Sequence, residues 1–197
     1  MKERNDLIET LQSIYDDCGA PWEELNLFGI RFEDDPEADE FNDFLGVATD
    51  DGCLLFEGTT DPGWNYTLNP IKGTLGAAHL CLGYHPGIWR IGIHNPSRPS
   101  KHEAFVQLGG PVNVWRDINK DGMFEKGEAV QTGLFDINLH RAGGGDKIGL
   151  WSAGCQVFKK ATDLEHVLKM AKATERYQTD ARVTWSYMLL DQSEIEL

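Results

Sequence analysis

The chain has 197 residues, 41% of them hydrophobic and six of them tryptophan, enough for one domain with a sizeable core and too apolar for a disordered chain. Its formal net charge of −14 argues against a nucleic-acid partner, because phosphate backbones are held by clustered Lys and Arg. No apolar run approaches the length of a membrane span, so none is expected.

The first residues, Met1-Lys2-Glu3-Arg4-Asn5-Asp6, lack the apolar core of an export signal, so synthesis in the cytoplasm without a signal peptide is expected. Leu7, Ile8, Leu11, Ile14 and Tyr15 recur at helical spacing, which predicts an amphipathic helix over residues 5–17, ended by Cys18-Gly19-Ala20-Pro21. The acidic stretch from Glu33 to Asp43, with Pro36 inside it, reads as a loop or linker. This divides the chain into a helical segment and acidic linker over 1–40 and a main domain over 41–197.

Between Leu45 and Leu108, short apolar stretches alternate with Gly, Pro and Asn. The predicted strands are Val47–Thr49, Leu54–Phe56, Ala78–Leu82, Ile88–Ile93 and Ala104–Gln107. Pro111–Trp115 alternates cleanly and adds another, and Phe135, Ile137 and Leu139 predict a strand that delivers His140 at its end. Thr162-Asp163-Leu164-Glu165 has the form of a capping box, and Leu164, Val167, Leu168 and Ala171 extend it into a helix over 163–177. Val183–Leu190 is rich in strand formers and should close the sheet. The fold class expected is mainly β, with a C-terminal α-helix and a short N-terminal helix.

Of the four cysteines, Cys18, Cys53 and Cys81 fit small buried hydrophobes, and no Cys-x-x-Cys pair suggests zinc or redox chemistry. Cys155 differs. It follows Ser152-Ala153-Gly154, and His140 stands across the three glycines Gly143 to Gly145. A thiol and an imidazole on two arms of a glycine loop suit a cysteine nucleophile with its base. The backbone N–H groups around Ser152 and Gly154 are candidates to hold an oxyanion, although Ser152 could equally be a turn-forming hydroxyl. His94, after a predicted strand, is the rival histidine or a substrate contact, whereas His166 should lie on the solvated face of its helix. Trp151 and Trp115 are candidate groove residues, and aromatic packing accounts for them as well.

The run Asn138-Leu139-His140-Arg141-Ala142-Gly143, with Trp151-Ser152-Ala153-Gly154-Cys155-Gln156-Val157, resembles the L,D-transpeptidase catalytic (YkuD-type) family, and within it a divergent phage-like branch. Members usually carry His-Gly before the loop and an arginine two residues after the cysteine. This chain has Arg141 and Val157 at those places. The resemblance spans about Gly58 to Leu190. It implies a β-sandwich or barrel-like catalytic fold acting on peptidoglycan stem peptides, with Cys155 as nucleophile and His140 as base. A backbone carbonyl at Arg141 or Ala142 would orient the histidine. Arg141 could hold a substrate carboxylate in place of the missing arginine. The outcome is left between hydrolysis, preferred by analogy with phage proteins, formation of 3–3 crosslinks, and a non-catalytic wall-binding module. Action at the cell wall, through phage lysis or a virion, would reconcile the substrate with the lack of an export signal. The sequence leaves the oligomeric state open.

A second motif, Asp117 to Glu128, fits the spacing of an EF-hand-type calcium loop. Asp117, Asn119, Asp121, the carbonyl of Met123 and Glu128 would be the ligands of a structural Ca2+, with no cofactor needed for catalysis. The same residues also favour a turn that binds nothing.

Overall fold

A computed structural model describes residues 2–33, 35–123 and 128–195. The chain is mainly β. Eight strands close a barrel in the order β1 (Asn26–Arg31), β11 (Trp185–Asp191), β5 (Gly83–His94), β6 (His102–Val106), β9 (Leu139–Arg141), β10 (Gln156–Phe158), β3 (Gly52–Thr59) and β2 (Asp43–Thr49). Beside it lies a three-stranded sheet of β4 (Ala77–Leu80), β7 (Val112–Asp117) and β8 (Ala129–Gly133).

Large apolar side chains fill the interior, among them Trp89, Phe105, Phe158, Trp185 and Tyr187. Helix α3 (Ala161–Ala173) adds Leu164, Val167, Leu168 and Ala171, the stripe its periodicity predicted, to this core. The helix expected over 163–177 is two pieces: Thr174 ends α3 and caps α4 (Glu175–Thr179), its hydroxyl accepting the Tyr177 N–H. The expected capping box does not form. Lys160, with no side-chain bond, occupies the cap, and the Thr162 hydroxyl turns to Asp163.

Helix α1 (Lys2–Asp17) buries Leu7, Leu11 and Tyr15 against the outside of the barrel, where Phe28, Ile30, Met188 and Leu190 meet it. It ends as read: Gly19 adopts φ 68°, and the Ala20 N–H returns to the Tyr15 carbonyl. The segment after it departs from the linker reading. β1 is a barrel strand, antiparallel to β2 and parallel to β11, with Leu27 opposite Val47 on one side and Tyr187 on the other. The boundary placed at 40/41 therefore falls between two neighbouring strands. Asp39, inside the acidic stretch, holds the far arm of the glycine loop, accepting the Gly149 N–H at 3.0 and 3.1 Å while its carbonyl accepts that of Ile148.

The strand expected through Phe135 is not formed, and β9 begins only at Leu139. Asp136 takes a left-handed φ of 58°, and the N–H groups of Phe135 and Ile137 both turn to one acceptor, Gln107 Oε1, at 2.9 Å. Among the described residues, no helix is long and apolar enough to cross a membrane.

Candidate active site

Strands β9 and β10 run parallel, with Leu139 opposite Gln156, His140 opposite Val157 and Arg141 opposite Phe158. Cys155, one residue before β10, thus stands beside Asn138, and alternation puts Asn138 and His140 on one face. The register carried one residue back makes Cys155 and His140 diagonal neighbours on that face, and among the described residues no hydrogen bond joins the thiol to the imidazole. The opposite face of these strands sends Leu139 and Phe158 into the core.

The Cys155 sulfur is held by backbone. It donates to the Asp136 carbonyl at 3.3 Å and accepts the Asn138 N–H at 3.5 Å. Burial, with the Asp136 charge added, pushes its thiol up to about 11, so Cys155 rests protonated. Cys155 is nevertheless only partly buried, at the edge of a small cluster of Phe41, Ala142, Ile148 and Val157. Of the other cysteines, Cys53 is buried as expected and Cys81 half-buried, whereas Cys18 is exposed beyond the end of α1.

His140 is 2% exposed, and burial followed by the nearby His94 holds its pKa down to about 3. The Nδ1 atom lies 2.9 Å from the Arg141 carbonyl. A carbonyl only accepts, so Nδ1 carries the proton and Nε2 keeps its lone pair. His94 stacks on His140, ring centroids 4.0 Å apart, and His102 stands 5.2 Å from His94 and 5.8 Å from His140. Burial first, and then the His102 charge, depress His94 to about 4. The His102 pKa is lowered too, by burial, and its Nε2 is buried without a hydrogen-bond partner among the described residues.

Two residues that the sequence reading gave no role hold this group together. Asn138 directs its amide to His94 Nδ1 at 3.2 Å, and its Oδ1 accepts the Gln107 N–H at 2.8 Å. Gln107, 4% exposed, also donates from Nε2 to the carbonyls of Gly110 and Gly133. One signal for Asn138 lay in the sequence, its place two residues before His140. Nothing marked Gln107, which reaches the site from a different strand end.

Ser152 is fully buried, and its hydroxyl donates to the Cys155 carbonyl at 2.8 Å and accepts the Gly154 N–H at 3.1 Å. The oxyanion donor expected at Gly154 is therefore engaged inside the turn. Gly154 itself adopts φ 125° with the Ala78 carbonyl against it, leaving no room for a side chain. Trp151 folds back over Gly143 and donates to the Gly144 carbonyl at 3.2 Å. Arg141 donates from Nη1 to the Ala142 carbonyl and lines a 470 Å³ groove between β6, β9 and α3, with His102. His166 is exposed on α3, as expected.

The larger cleft, 650 Å³, lies elsewhere, lined by Arg31, Cys81, Trp115 and Met123 among others and by neither Cys155 nor His140. Trp115, the other groove candidate, is buried there against His79, rings stacked at 3.8 Å. Behind it His79 Nδ1 meets Asp61 at 2.7 Å, and Arg31 pairs with the other oxygen of that carboxylate at 3.0 Å.

In the calcium-type loop, residues 124–127 lie outside the described residues. Both Asp117 oxygens accept backbone N–H groups of the loop, from Lys120 at 2.6 Å and Gly122 at 3.0 Å. Asp121 accepts the Asn119 amide and the Met123 N–H, each at 2.8 Å. No group of three or more His, Cys, Asp or Glu among the described residues is gathered as metal ligands would be. As folded, the Asp117, Asn119 and Asp121 side chains are hydrogen-bonded within the turn.

No family model matches this sequence, and no curated protein matches it.

Proposed function

We propose that the protein is a cysteine acyl-transfer enzyme acting on peptidoglycan stem peptides, with hydrolysis as its outcome. The observation that carries this reading is the parallel register of β9 and β10, which sets a half-buried thiol diagonally beside an imidazole whose Nδ1 is turned to a carbonyl. That leaves Nε2 as the basic atom. Because the pair rests neutral, proton transfer accompanies attack: His140 Nε2 takes the Cys155 proton as the sulfur bonds to the substrate carbonyl carbon. The oxyanion would be held by backbone of the 152–155 turn, after the Gly154 N–H swings from Ser152. Collapse of the intermediate breaks the C–N bond, the proton on His140 goes to the leaving amine, and a thioester remains on Cys155. Water, deprotonated by His140, then attacks the thioester carbon, the C–S bond breaks to release the acid, and the His140 proton returns to the Cys155 sulfur.

A non-catalytic wall-binding module is the second reading, favoured by the high thiol pKa and by the engaged Gly154 N–H. Defined muropeptides separate the two when products are read by mass. Wild type is expected to remove a terminal D-residue or cut a crosslink, and Cys155→Ala and His140→Ala to lose at least 1,000-fold in rate, on the order seen when such a nucleophile or base is removed. Stem-peptide binding without any product from wild type would sink the enzyme and leave the module.

A further inference from the structure

Gln107 is the first residue after β6, and the antiparallel register there sets Phe105 opposite Leu139. Carried two residues on, that register would place Gln107 opposite Ile137 in an ordinary ladder. The ladder stops instead, and the glutamine side chain takes its place. Gln107 Oε1 accepts the N–H groups of Phe135 and Ile137, each at 2.9 Å, while Nε2 donates to the Gly110 and Gly133 carbonyls at 3.2 and 3.1 Å. Donors on one side and carbonyls on the other leave the amide one orientation, with both lone pairs and both hydrogens in use. Two N–H groups converging on one oxygen fold the residue between them, and Asp136 takes that fold with its φ of 58°. The backbone groups on either side of Ile137, the Asp136 carbonyl and the Asn138 N–H, are the two that hold the Cys155 sulfur. The Gln107 main-chain N–H meanwhile holds Asn138 Oδ1, which turns the Asn138 amide to His94, the ring stacked on His140.

We propose that Gln107 is a positioning residue for acyl transfer: its side-chain oxygen shapes the backbone cradle of the Cys155 sulfur, and its main-chain N–H keeps that cradle in register with the imidazoles. Among the described residues it bonds to neither the sulfur nor His140, so it acts through Asp136 and Asn138. Tying the barrel to the three-stranded sheet, at Gly133 of β8, would need only the Nε2 bonds. The oxygen serves the segment that grips the thiol. A sulfur displaced by a fraction of an ångström is badly placed both for the imidazole and for a carbonyl carbon, although substrate still binds. The catalytic consequence rests on the acyl-transfer reading above, whereas the cradle can be read without turnover.

The test compares Gln107→Met, which keeps the length of the side chain and loses its hydrogen bonds, with Gln107→Glu, which keeps an oxygen for the two N–H groups. Amide hydrogen exchange, resolved by residue in NMR spectra, reads the cradle. In Gln107→Met the amides of Phe135 and Ile137 are expected to lose protection by about 10-fold, the effect of one lost hydrogen bond. Asn138 should lose as much, although its acceptor is the sulfur and not Gln107. Gln107→Glu should keep all three protected. On a defined muropeptide, Gln107→Met is expected to lower kcat about 100-fold with KM within about twofold, and Gln107→Glu to recover most of the loss. Should Gln107→Met fail to melt cooperatively, Gln107→Asn, one methylene shorter, carries the same readings. Unchanged Asn138 protection overturns the proposal, because Gln107 would then tie Phe135 and Ile137 without reaching the sulfur. So does an effect on KM alone, or the loss of a cooperative melt in every variant, which would make the residue a prop of the fold. If wild type forms no product while exchange behaves as expected, the enzyme falls and the cradle stands. Product from wild type with Asn138 protection unchanged in the variant keeps the enzyme and removes the positioning role.

Discussion

Cys155 holds its proton at neutral pH because the sulfur is desolvated, with the Asp136 charge adding to the effect, while burial holds His140 and His94 neutral. Alkylation by iodoacetamide requires the thiolate, so the labelling rate at Cys155 is expected to rise about tenfold per pH unit between pH 7 and 10, without a plateau. A rate independent of pH over that range, measured by peptide mass after timed labelling, would reveal a thiolate–imidazolium pair and contradict this account. At this scale the sequence was most informative about Cys155 and His140. Glycine spacing alone put Cys155 and His140 on two arms of one loop. It could not reveal Gln107, Asn138 and His102 as their companions, because these meet through the register of strands about 30 residues apart. Nor did the turn chemistry of Ser152 show which of its two roles it takes.

Among the elements, α1 was legible from its one apolar stripe, and the longer strands from their alternation. β1 was not, since five of its six residues are buried and it therefore shows no polar alternate positions. β10, three residues long, is too short for any period to appear. The boundary expected at 40/41 separates β1 from its partner strand β2, and truncation tests that division. A chain starting at residue 41 lacks a strand between β2 and β11 and is expected to show no cooperative unfolding. One starting at residue 20 loses only α1, with the burial of Leu7, Leu11 and Tyr15, and should fold with a Tm lower by about 10 °C. A cooperative melt of the shorter chain would restore the two-part division. The calcium-type loop is a separate element-scale question, because its residue order suits a cation while its hydrogen bonds suit a turn. Adding calcium to chelator-treated protein is expected to raise Tm, with Asp117→Asn removing the rise. An unchanged Tm would leave a self-bonded turn.

For the molecule as a whole, acid stability is a contest between groups of opposite sign. His140, held at about 3 when folded, takes up its proton near 6.5 once unfolded, so its contribution is lost as pH falls below 6.5. Between pH 6.5 and 5 this amounts to about 2 kcal/mol. Asp43 works the other way. Burial, together with the Asp61 charge, raises its carboxyl to about 7, so the folded state gains as pH falls from neutral. Wild-type stability alone would mix these, and a difference between proteins isolates one. His140→Gln is expected to gain about 2 kcal/mol on wild type between pH 6.5 and 5, read from urea midpoints. A constant difference across that range would mean that His140 is not held neutral by the fold.

The pairing of β1 with β11 also has a consequence for biosynthesis. Leu27 lies against Tyr187, so a nascent polypeptide holds its first strand ready long before the partner has left the ribosome. Until then β1 and β5 each present a raw edge able to capture a strand from another molecule. Products of early termination before Trp185 would keep both edges indefinitely, so they should be recovered as aggregates or chaperone complexes rather than as shortened monomers.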